Sequence, residues 1–353
     1  MKKGLSLKIR SLPIHWMIIF LLCSLLLTIC SGLKLGFIPV DWSTLASVLA
    51  DRIFNIAGTA YDNTAGDIIW QLRLPRLLLA AAVGMALSLS GIVIQATVQN
   101  PLADPYILGI SSGASLGATS AVFLGLGGIF GPQAIGFCAF IGALAVSAFV
   151  LMAAGSGTPG NSVKLLLSGM ALNAVCSSLA GFIIYIGRDK EGMESITYWL
   201  LGNVANAKLG NVIVLLLLFL PVFFYFLSQR RILNLMLLGR ESALTLGVDL
   251  NGYLPKFLLL NSLLVGFVVF NAGMIGFIGL VIPHMTRSVF GANHQKTLPI
   301  AVLFGGLSAV VMDILSRTMI TGVDIPIGII FALIGAPCFI CLMLQKKYRF
   351  GGN

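Results

Sequence analysis

Along most of this chain the apolar positions do not alternate with polar ones but run on without interruption, as from Leu215 to Leu220 inside a longer stretch. A membrane-spanning strand alternates its apolar and polar faces. A helix crossing hydrocarbon needs roughly 17–25 predominantly apolar residues in a row. The pattern therefore predicts helices. In order, candidate spans lie near 14–32, 74–95, 107–127, 133–154, 164–187 and 209–228. The run from Leu254 to Pro283 is too long for one ordinary crossing and is broken at Ala272-Gly273, so it divides into one full helix and one short helix ending at Pro283. Two more follow near 298–317 and 325–344, which makes ten. The expected fold is an all-α integral membrane protein, a single transmembrane domain over 1–353.

Composition removes the soluble alternative. Hydrophobic residues make up 58% of the chain and charged ones only 10%, against about 25% charged in a soluble domain. Such a chain cannot cover a globule with polar surface, so its solvent is the lipid bilayer. The net charge of +10 does not imply nucleic acid, because Lys and Arg punctuate apolar stretches instead of gathering into a groove-sized patch. With ten spans and the first terminus inside, 14 of the 22 Lys and Arg fall on the inner face and 9 of the 12 acids on the outer. Basic residues orient membrane proteins toward the cytoplasm, so both termini are expected there. Lys2, Lys3, Lys8 and Arg10 precede the first apolar run as in a signal peptide, but no small-residue cleavage site follows, and the run is read as an uncleaved helix.

Little in the sequence looks like catalytic chemistry. Gly155-Ser-Gly-Thr-Pro-Gly160-Asn161-Ser162 copies the glycine spacing of a phosphate-binding loop, yet Asn161 stands where the lysine belongs. It reads as a turn between spans four and five. The six cysteines lie in apolar stretches, and His15, His284 and His294 form no metal-ligand pattern. A secondary transporter coupled to ions would need ionisable groups at mid-membrane, where these spans have almost none. Glycines recur inside the spans, as at Gly109, Gly113 and Gly117, at a spacing that lets helix backbones approach. Glycine and proline breaks near 100–105 and 282–283 fall in both halves and point to an internal repeat around a central path. The stretch from Asn234 to Leu250 is moderately amphipathic and is divided by Gly239 and Gly247 into two short helices. On composition alone it suits either an interfacial helix or a docking element.

A series of blocks resembles the permease subunits of ABC importers for iron–siderophore, heme and cobalamin. They are Arg73-Leu-Pro-Arg76, Gly91-Ile-Val-Ile-Gln95, Asn100-Pro-Leu-Ala-Asp-Pro105, Leu108-Gly-Ile-Ser-Ser-Gly-Ala114 and Tyr198-Trp199 with Gly202. Further along come Ala272 to Arg287, Asp313 with Arg317, Asp324-Ile-Pro-Ile-Gly328 and Gly335-Ala-Pro. The resemblance implies a ten-span subunit of the cytoplasmic (inner) membrane that pairs with an identical or paralogous second permease subunit. Two cytoplasmic ATPase subunits use ATP, an extracytoplasmic substrate-binding protein docks outside, and this chain binds no cofactor of its own. It implies a cytoplasmic coupling segment at about 230–252 between spans six and seven, with Leu238, Gly239, Arg240, Glu241, Ala243, Leu246 and Gly247 contacting the ATPase. Arg240 departs from the acid that relatives often carry there. Arg73 and Arg317 match positions that grip acids of the binding protein; the structural alternatives are that Arg73 and Arg76 only reach out from a helix end and that Arg317 pairs with Asp313 at i,i+4. The cytoplasmic gate maps to Asn161, Ser162 and Val163. The expected cargo is an iron–siderophore complex, with heme or cobalamin as the alternative.

Overall fold

The computed structural model describes residues 13–38, 40–54, 63–106, 108–154 and 161–344. Helix α1 (Ile14–Lys34) and the shorter α2 (Trp42–Phe54) are followed by a lead-in, Asn63–Asp67 and the π-wound Ile68–Arg73, that continues into α3 (Leu74–Thr97). Next come α4 (Ile110–Phe123), α5 (Ala134–Ala154), α6 (Asn161–Gly187), α7 (Lys190–Leu200) and α8 (Leu209–Ser228). The short α9 (Arg230–Leu238) and α10 (Arg240–Thr245) precede α11 (Leu254–Ala272), α12 (Ile278–Phe290), α13 (His294–Thr318) and α14 (Ile327–Leu344). No strand occurs among the described residues. Both basic tails and most of the phosphate-loop-like stretch, residues 155–160, lie outside the described residues.

Among the described residues seven helical segments are long and apolar enough to cross a bilayer: α1, the lead-in with α3, α5, α6, α8, α11 with the turn before it, and α13. The other three predicted spans fall on shorter helices. These are α4 with 14 residues, α12 with 13, and α14, whose apolar part covers Ile327–Cys341.

One boundary is corrected. Pro283 does not end the short helix after the Ala272-Gly273 break; α12 carries it inside and runs on to Phe290. Proline removes the N–H that would bond the carbonyl four residues back. That carbonyl, on Gly279, instead accepts from Gln95 Nε2 of α3 at 3.3 Å. A neighbouring helix supplies the missing donor, and the helix persists.

Helix α3 is the axis of the molecule. Its apolar window is 89% buried, whereas those of α6 and α1 are 17% and 22% buried. The glycines make this packing possible. A Cβ on Gly91 would stand 2.7 Å from Gly279 Cα of α12, and one on Gly84 would stand 2.6 Å from Ala309 Cβ of α13. Only a missing side chain allows such approach.

The two irregular connections, between α3 and α4 and between α11 and α12, meet inside the bundle. Ile275 N donates to Tyr106 Oη at 3.3 Å, and Pro105 packs on Gly279. Non-helical backbone at such a depth is tolerated where protein encloses it.

Candidate functional site

Arg73 closes the π-wound turn and Arg76 sits in the first turn of α3, while Asp313, Ser316 and Arg317 end α13. Because α3 and α13 run antiparallel, these termini coincide at the end predicted to face outward. Arg76 is the centre of the cluster. Its Nε donates to Asp313 Oδ1 at 2.6 Å, and its two terminal nitrogens fork onto Asp324 at 2.6 and 2.8 Å. Nη2 also reaches Ser316 Oγ at 3.1 Å. The planar guanidinium is suited to this double engagement.

Arg317 stands 3.2 Å from Asp313 Oδ2, the i,i+4 pair expected from the sequence. Its Nη1 donates to Leu35 O at 3.2 Å. Arg73 makes no ion pair among the described residues. It donates to the carbonyls of Leu33 at 2.7 Å, Lys34 at 3.0 Å, and Ile38. Arg73 and Arg317 thereby hold the connection between α1 and α2 against the cluster.

Arg73, Arg76 and Arg317 are only 6%, 8% and 5% exposed, and Asp313 is fully buried. The alternative in which Arg73 and Arg76 reach into solvent is corrected: both are buried, and for Arg76 two carboxylates offset the cost of desolvation. Among the described residues the cluster gathers three guanidinium groups and two carboxylates, Asp313 and Asp324, a formal excess of one positive charge. A hollow of about 240 Å³ opens over it, lined by Phe37, Ile38, Leu72 and the three arginines. Its chemistry suits an incoming carboxylate, because partly desolvated guanidinium groups bind such groups strongly.

The opposite end holds α9 and α10. Gly239 joins them with φ 93° and ψ 159°, a conformation that a residue with a Cβ adopts only under strain. Gly247, at φ 81°, turns the chain away afterwards. Leu238, just before the first of these points, and Leu244 and Leu246 between them are exposed, Glu241 is exposed, and Arg240 is half-buried. Ala243 points inward and is buried, so it shapes the element instead of offering contact. Leu244 belongs with the exposed leucines and was not singled out by the sequence. Asn161, Ser162 and Val163 form the first turn of α6. Among the described residues no group of three or more His, Cys, Asp or Glu gathers at one point.

This is the architecture of a multi-pass membrane subunit, with ionised groups gathered at one end of its helices and a short two-helix element at the other. The model of the FecCD transport family matches residues 23–345. The hemin transport system permease protein HmuU of Yersinia pestis is 36% identical over 300 residues, 83% of this chain and 89% of that protein. The vitamin B12 import system permease protein BtuC of Escherichia coli O127:H6 is 35% identical over 336 residues, 94% of this chain and 95% of that one. Among solved structures, a metal-chelate type ABC transporter in an inward-facing conformation superposes with a TM-score of 0.80 at 30% identity, covering 94% of this chain and 99% of its counterpart. The chain belongs to the FecCD transport family and is a permease subunit of an ABC importer.

Proposed function

We propose that this chain is one of two ten-span permease subunits that carry iron–siderophore complexes across the cytoplasmic membrane into the cell. ATP hydrolysis takes place on separate subunits that dock on α9 and α10. Carboxylates of an extracytoplasmic binding protein enter the hollow over Arg73 and Arg317. The observation that carries this reading is the unbalanced positive charge of that hollow, placed at the far end of the bundle from the exposed leucines of α9 and α10. Helix α6, apolar yet mostly uncovered, is suited to pack against the second subunit, with Asn161 to Val163 gating the cytoplasmic end. Both termini face the cytoplasm.

A second cargo has a specific observation behind it, since the relatives named above are named for hemin and vitamin B12. Uptake of labelled ferric siderophores, heme and cobalamin is compared in cells lacking this chain and related importers, with and without its restoration. Restored uptake of a ferric siderophore is expected. Restoration of heme or cobalamin uptake alone replaces the cargo, and restoration of none refutes the reading.

A further inference from the structure

Helices α3 and α13 have 24 and 25 residues, about 36 Å at 1.5 Å per residue. At one end they are tied by Arg76, which bonds Asp313 and Ser316. In the middle their backbones touch. A Cβ on Gly305 would meet the Gly84 carbonyl oxygen at 2.5 Å, and one on Gly306 would meet the Ala81 carbonyl oxygen at 3.2 Å. At Gly305 the Gly84 backbone leaves no room for a side chain, so the close packing opposes sliding of the two helices.

The other ends of the same two helices are both fastened to α9. Asn234 of α9 donates from Nδ2 to Asn293 Oδ1 at 3.1 Å, and its Oδ1 accepts from His294 N at 2.9 Å. His294 Nδ1 lies 2.8 Å from the same oxygen. Asn293 is itself the N-cap of α13, its Oδ1 accepting from Gln295 N at 3.0 Å. On the α3 side, Gln99 follows the helix in a left-handed conformation, φ 56°. Its Nε2 donates to Met236 O of α9 at 3.0 Å. Left-handed backbone is unfavourable for a residue with a side chain, and here it accompanies a bond to the short helix. The carbonyl it reaches is in the last turn of α9, where it also accepts from Gly239 N at 3.2 Å. Met236 itself is buried, and Thr97 Oγ1 lies 3.9 Å from its sulfur.

We propose that α3 and α13 move as one body between the arginine hollow and α9, and that Asn234 and Gln99 are the positioning residues that fasten α9 to it. This rests on the importer reading above. A displacement of α9 and α10 by the ATPase is then delivered to the hollow without loss in flexible connections. By linkage, an occupied hollow biases the ATPase to the same extent.

The test uses the full complex in lipid, with its ATPase subunits and its binding protein. Asn234→Ala and Gln99→Ala are expected to keep the ATPase subunits bound and the basal ATPase rate within about twofold. Stimulation by loaded binding protein falls about tenfold, within the usual range of coupling between sites. A purely structural role would lower assembly and basal rate together. A second measurement needs neither variant. Spin labels at Arg231→Cys on α9 and Thr318→Cys on α13, both exposed positions, are placed in a chain without its native cysteines and diluted with unlabelled subunit. Their separation stays within about 2 Å, the size of ordinary helix adjustments, between nucleotide-free and ATP-bound complexes. Labels at Tyr185→Cys on α6 of the two subunits report that the complex has changed state. Wild-type stimulation in both variants, or a larger change between α9 and α13, overturns the proposal. A wild-type complex that never responds to binding protein, with α6 labels that never move, removes the importer reading instead.

Discussion

Replacing Asp313 by Asn tests whether the arginine cluster is held by charge balance. Asp313 is fully buried, receives Arg76 Nε at 2.6 Å and stands 3.2 Å from Arg317. The amide would keep the shape of the side chain but remove the negative charge between two guanidinium groups that water does not reach. Breaking a buried ion pair by removing one partner costs about 3–5 kcal/mol, because the remaining charge is left uncompensated. Asp324 supplies the comparison. Its side chain is 25% exposed, so water takes over part of what Arg76 loses in Asp324→Asn, and the cost there is about 1 kcal/mol. At about 2 °C per kcal/mol, Asp313→Asn lowers the melting midpoint of the purified chain in detergent by about 6–10 °C. Asp324→Asn lowers it by about 2 °C. Fluorescence-detected size-exclusion chromatography after stepwise heating reads both. Equal shifts, or a larger shift for Asp324→Asn, refute the reasoning, because burial would then not decide the cost.

Three further outcomes follow from the geometry. Gly239→Ala places a Cβ on backbone at φ 93°, a strain of about 1–3 kcal/mol; co-purification of the ATPase subunits weakens while the melting midpoint of the rest of the chain hardly moves. Leu72→Asp sets a carboxylate at the exposed rim of the hollow, 61% exposed and clear of the buried bonds; binding-protein affinity in surface plasmon resonance falls about tenfold, with a flatter dependence on salt. Gly91→Ala brings a Cβ within 2.7 Å of the Gly279 backbone and forces α3 and α12 apart at about 1–3 kcal/mol, seen as a lower melting midpoint with an unchanged α9–α10 surface.

What the sequence disclosed depended on how far apart the interacting residues lie. The seven long spans among the described residues were legible because hydrocarbon imposes one requirement on every residue of a crossing. Gly239 and Gly247 were legible as the punctuation of two short helices, since positive φ selects glycine locally. Arg317 with Asp313 was legible from i,i+4 spacing. The role of Arg76 was not, because its partners Asp313 and Asp324 lie 237 and 248 positions away. The continuation of α12 past Pro283 was hidden for the same reason: the donor that rescues the Gly279 carbonyl is Gln95, 184 positions earlier. Asn234 and Gln99 carry no local signal of their own, because their partners Asn293, His294 and Met236 lie on other elements.

The distribution of charge also bears on how such a subunit is driven. Arg76 is the only ionisable residue with a formal charge along α3, and α13 carries none between Lys296 and Asp313. An ionised group in the middle of a bilayer is costly unless it is paired or hydrated, and an ion-coupled transporter accepts that cost because the group must load and unload its ion there. Here the middle of the central helix pair is glycine, alanine and serine packed backbone to backbone. Such a surface has nothing to protonate and nothing to bind an ion, but it transmits a push well, since close-packed helices resist compression. A push on this pair is therefore taken up at its ends. Those ends are where the polar groups are: a positive hollow at one, and at the other a short two-helix element pinned by Asn234 and Gln99.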